Sequence, residues 1–169
     1  MIGKEKQRWI LIIIILMMVR MIFLISIYGI EVKYRCVRMV GDEYMHDNYI
    51  IDYTVNLSQK KIVLKTYNKY VQRNEIVYFN DVLTHEFKCI LEYNQILDIN
   101  SYDIECFFSE NQHELKLLHC SCWPINYTNS EELKKYLIEN KYQYIKINSS
   151  YGMYGWIIAK DYTIKLQVN

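Results

Sequence analysis

Proline and alanine are nearly missing from this chain. Each occurs once, as Pro124 and Ala159, and glycine occurs five times in 169 residues. Isoleucine, lysine, asparagine and tyrosine take their place, a bias that an AT-rich genome produces without selection on the protein. The seventeen tyrosines also admit a second reading, as a contact surface, because tyrosine offers large area with few rotatable bonds. No Pro/Gly/Ser-rich stretch marks off a second domain, and there is no internal repeat or low-complexity tract.

Excess positive charge is missing too. The whole chain carries +1, and from Glu31 onward 16 basic residues meet 18 acidic ones, a net charge of −2. Nucleic-acid binding requires a basic footprint, so it is excluded as the primary role.

Catalytic motifs are the third absence. There is no G-x-S-x-G, P-loop or dinucleotide fingerprint, and Gly152-x-x-Gly155 is a turn signal only. His85-Glu86 begins like H-E-x-x-H, but Cys89 stands where the second histidine belongs. His113, His119, Cys120 and Cys122 form the only metal-like group, and C-x-C is not the usual zinc spacing. The sequence therefore implies no catalytic residue, no metal and no cofactor.

What the sequence does contain begins with a hydrophobic run from Trp9 to Ile30. Its 22 residues are long enough to cross a bilayer at about 1.5 Å per residue. Arg20, its single charge, costs roughly 2.5–3.5 kcal/mol at a helix centre, against about −4 to −8 kcal/mol from the apolar residues. Insertion wins. No small-x-small cleavage site follows, Ile27-Tyr28-Gly29 being a poor substitute, and Lys33-Tyr34-Arg35 before Cys36 is wrong for a lipoprotein site. Residues 1–8 then form a short basic tail, 9–30 an uncleaved single-pass anchor, and 31–169 one domain. Basic residues flank both ends, so the short tail decides in favour of an extracytoplasmic domain. Arg20 is either tolerated by the bilayer or contacts a partner helix.

The domain reads as α+β: a small antiparallel sheet with one or two packed helices. Alternation over Tyr49–Leu57 predicts a strand, Ser58-Gln59-Lys60 a turn, and Lys61–Val71 the returning strand. Glu75–Phe79 and Phe87–Tyr93 are short apolar runs of undetermined type. Asp103–Ser109 and Glu114–Cys122 predict a hairpin around residues 110–113. Asn129 or Ser130 caps a helix whose Leu133, Tyr136 and Leu137 share a face. Tyr142–Ile147 is a strand, and Gly155–Ala159 pairs with Tyr162–Val168 across Lys160-Asp161.

Five cysteines, an odd number, leave at least one thiol free or bonded to another chain. On the predicted hairpin Cys106 is the natural disulfide partner for Cys120 or Cys122, whose own side chains would point in parallel. Tyr151, Met153, Tyr154 and Trp156, among glycines, are the most contact-like group. Three N-x-S/T sequons, at Asn56, Asn126 and Asn148, matter only in a eukaryotic secretory route.

The functional expectation is a membrane-anchored binding module of a cell envelope. Its sheet, or the Tyr151–Trp156 segment, engages a protein partner; neutralising a toxin, as small membrane-bound immunity proteins do, is one such task. Two alternatives come from other classes. One is an accessory subunit of a membrane complex docking through Arg20. The other is an envelope hydrolase, which would need a pocket of convergent titratable groups.

Overall fold

A computed structural model describes residues 38–39 and 45–167. The chain divides into two units, Met1–Lys33 and Tyr34–Asn169, and every described residue belongs to the second. The expected anchor, with Arg20, lies outside the described residues. Among the described residues no helix is long and apolar enough to cross a membrane.

The described chain is α+β. Its strands are β1 (Arg38–Met39), β2 (Tyr49–Asn56), β3 (Lys61–Asn68), β4 (Arg73–Asn80), β5 (Thr84–Lys88), β6 (Asn94–Tyr102), β7 (Gln143–Tyr151), β8 (Tyr154–Ala159) and β9 (Asp161–Gln167). The helices are α1 (Ile104–Glu110), α2 (Gln112–Leu118) and α3 (Ser130–Glu139). All pairings are antiparallel, in the order β5-β8-β7-β6-β2-β3-β4-β9, with β1 against β6. The sheet is larger than the sequence implied, and three helices accompany it rather than one or two.

The two halves of this path fold over one another. β2 and β6 share only two residue pairs, Tyr49↔Gln95 and Ile50↔Asn94, before β2 diverges. Only residues 81–83 connect β4 to β5, and Lys160 alone connects β8 to β9, so opposite ends of the path are held close. One apolar core accordingly contains Ile50, Ile62, Leu64, Val77 and Phe79 from one half with Ile96, Ile99, Ile145, Ile147 and Ile157 from the other. The expected hairpin of Gly155–Ala159 with Tyr162–Val168 does not form. β8 pairs with β5 and β7, while β9 crosses to β4. On β9, Tyr162 and Ile164 both pack against the core.

The helices cover the other face of the first half. Tyr144, Trp156 and Ile158 meet Ile104, Phe107, Leu115, Leu133 and Leu137 in a second core. Strands buried on both faces lose the period-2 alternation, which is why Trp156-Ile157-Ile158-Ala159 reads as an unbroken apolar run. The second half keeps its alternation, because one of its faces meets solvent. On β3, for example, Ile62, Leu64 and Thr66 are buried while Lys65 is exposed.

The predicted hairpin over residues 103–122 is overturned: α1 and α2 occupy it, followed by a 3-10 turn at His119–Ser121. Ile104, Cys106 and Phe107 of α1 and Leu115 of α2 are the buried apolar positions, the spacing of helices lying on a sheet. The Asn129 cap is observed, with its side chain accepting from Glu132 N at 3.0 Å.

One end of the inner core is polar. Glu75, fully enclosed, receives Arg73 Nε at 2.6 Å and Asn48 Nδ2 at 2.8 Å. Asn48 in turn accepts from Asn68 Nδ2 at 2.7 Å. Buried polar groups are tolerated when each is satisfied in this way.

Candidate functional site

Asn94, the first residue of β6, ties two connections together. Its Oδ1 accepts from Leu91 N at 3.0 Å and from Met153 N at 2.8 Å, and its Nδ2 donates to Leu91 O at 2.7 Å. Leu91 belongs to the β5–β6 connection and Met153 to the connection between β7 and β8. Gly152 between them has φ +80°, and a Cβ there would also lie 2.7 Å from Tyr93 O. Only glycine allows the two loops to approach this closely.

The clasp leaves a group of apolar side chains in solvent. Ile90 and Leu91 are each 48% exposed, Tyr93 65%, Tyr151 58% and Tyr154 45%. Register brings them together, since Gln95 stands opposite Tyr151 and Lys88 opposite Tyr154. Around them, Lys88 is bound to Glu86 at 3.2 Å, whose carboxylate holds the ammonium pKa above its ordinary value. Glu92 is exposed beside Tyr93. The tip is therefore apolar and aromatic, with an acidic rather than a basic margin.

The four contact residues inferred from sequence divide into two pairs. Tyr151 and Tyr154 belong to the tip. Met153 and Trp156 do not: Met153 is buried in the inner core, and Trp156 is packed against Phe107 at 5.2 Å and Trp123 at 6.1 Å. Trp156 Nε1 donates to Glu86 Oε2 at 3.1 Å, which satisfies its polar edge inside the fold. Ile90, Leu91 and Tyr93 were missed by sequence reasoning. Their signal was an apolar Cys89-Ile90-Leu91 run that lies beyond the end of β5 and lacks alternation.

The cysteine cluster also separates. Cys106 is disulfide-bonded and buried on α1, whereas Cys122 is free and exposed, so Cys122 is not its partner. Cys120 and Cys122 do not share a strand, because a 3-10 turn ends at Cys122 with φ 56°. Cys89, at the tip, is also free and exposed. Among the described residues no group of three or more His, Cys, Asp or Glu is placed to hold a metal ion. His85 points toward Phe87, ring centres 5.1 Å apart, and burial lowers its pKa.

Tyr144 donates to Glu110 Oε2 at 3.0 Å, and Lys146 meets the same carboxylate at 2.9 Å. Burial raises the Tyr144 pKa and keeps the phenol protonated. Comparison with known protein families, with characterised proteins and with solved structures found no match.

Proposed function

We propose that the protein is a membrane-tethered interaction module, anchored by residues 9–30, that captures a protein partner on the tip formed by Ile90, Leu91, Tyr93, Tyr151 and Tyr154. The observation that carries this reading is an exposed apolar cluster held rigid by a buried amide. Exposed aromatics mixed with aliphatics have the composition of binding hot spots. Pre-ordering by Asn94 lowers the entropy lost when a partner docks.

Several features favour a protein over a lipid surface. Anionic bilayers attract Lys and Arg, yet here the exposed margin carries Glu92 and the nearby Lys88 is engaged by Glu86. The Cys106 disulfide suits an oxidising compartment, hence an extracytoplasmic domain.

A photoreactive phenylalanine analogue placed at position 93 or 154 of the full chain, in its native membranes, tests the reading. A discrete adduct with one protein is expected from both positions and none from position 78, on the outer face of β4. Adducts equally strong from position 78, or lipid adducts alone, would overturn it.

A further inference from the structure

Among the described residues, every cation that lies over an aromatic ring is a lysine over a tyrosine. Lys69 Nζ is 5.2 Å from the centre of the Tyr49 ring and 5.1 Å from that of Tyr70. Lys146 lies over Tyr102 and Tyr144, Lys160 over Tyr142, and Lys165 over Tyr78. The negative face of a phenol ring attracts a cation at this range. Even Tyr70, 68% exposed, has a lysine of its own.

The tip tyrosines differ. Tyr93, Tyr151 and Tyr154 are exposed, and no described lysine lies over any of them. By register the nearest supply is Lys88, which stands opposite Tyr154. Glu86 takes that ammonium instead, at 3.2 Å, and Glu114 of α2 adds to the negative field on it. Two carboxylates therefore act on one lysine, and it lies over no ring.

The charge beside the rings is negative. Glu92 is exposed between Leu91 and Tyr93. Asp47 Oδ1 accepts from Gln95 Nε2 at 2.8 Å, and Gln95 stands opposite Tyr151. His46, 4.0 Å from Asp47, is a counter-charge only when protonated. Uncapped ring faces with a carboxylate beside them are complementary to a cation, and a second copy of the same acidic tip would be repelled.

We propose that the tip receives an arginine-bearing, basic segment of its partner, with guanidinium groups on the Tyr93, Tyr151 and Tyr154 rings and against Glu92. The inference rests on the reading of the tip as a protein-capture site and names the chemistry of what is captured. Arginine suits the place better than lysine, because its planar, weakly hydrated head stacks on a ring and still bonds a carboxylate through its edge. Ile90 and Leu91 can cover the apolar stems that long basic side chains carry.

Two measurements on the full chain test this. In native membranes, with the photoreactive analogue at position 154, Glu92→Lys should cut the adduct yield about fivefold. Mass spectrometry of the adduct should place the attachment in a segment containing arginine. Ethylguanidinium chloride is the probe for the second measurement, titrated into detergent-solubilised protein carrying 13C-labelled tyrosine rings. The Tyr93, Tyr151 and Tyr154 signals should shift at concentrations that leave Tyr70, already under Lys69, in place. An adduct indifferent to Glu92→Lys, an attachment segment without basic residues, or equal shifts at Tyr70 would overturn the cationic partner and leave capture standing. No adduct from position 93 or 154 would overturn capture itself, and this inference with it.

Discussion

Removing the Asn94 amide would strand two backbone N–H groups, those of Leu91 and Met153, at a position only 6% exposed. A buried donor left without an acceptor costs about 1–3 kcal/mol. Asn94→Ala should therefore destabilise the domain by about 2–4 kcal/mol, read as a lower urea midpoint with an unchanged slope. Asn94→Asp keeps both acceptor contacts and loses only the donor to Leu91 O, so it should fall between wild type and alanine. If alanine proved as stable as wild type, the two loops would not depend on this side chain. The same variant should weaken photo-cross-linking at position 93, because a tip without its clasp pays more entropy on docking.

The elements that sequence reasoning recovered are those whose pattern is local. β2 and β3 around their turn, and α3 behind its Asn129 cap, are set by neighbours within a few residues. Residues 103–122 were misread because Ile, Phe and Leu suit strands as well as helices in short apolar runs. Only burial at Ile104, Phe107 and Leu115 against the sheet decides the matter. The β8–β9 connection was misread for a related reason. A one-residue link resembles a hairpin turn, and nothing in the two strands says that their partners lie in different halves of the fold. At the tip, Tyr151 and Tyr154 were legible as aromatics beside glycines, but no local feature separated them from Met153 and Trp156, which point into cores.

β5 carries an element-scale consequence. His85 is partly buried beside Phe87 on this short edge strand, and burial lowers its pKa below the ordinary 6.5. The unfolded chain then binds the proton more readily than the folded one, so stability is complete above pH 6.5 and declines as pH falls below it. Amide hydrogen exchange should show β5 and its β8 partners losing protection as pH falls below about 6.5. His85→Gln should flatten that dependence; an unchanged pH profile in the variant would assign the effect to another group.

At the scale of the whole molecule, the disulfide bears on one question raised by the proposed anchor, which side of a membrane the domain would face. Cys89 and Cys122 are free and exposed, whereas Cys106 is bonded and buried. The thiols thus form a built-in reporter. A membrane-impermeant maleimide applied to cells with an intact plasma membrane should label the protein if the domain is extracytoplasmic, and Cys89→Ser with Cys122→Ser should abolish most of that labelling. Cys106 should become reactive only after reduction and unfolding. Reduction should itself lower stability by about 2–4 kcal/mol, the usual contribution of a disulfide. Labelling that appears only after lysis, with Cys106 already reduced, would place the domain in the cytoplasm. The basic residues beyond Ile30 would then be the cytoplasmic flank of the anchor, and the tip would have to find its partner on that side.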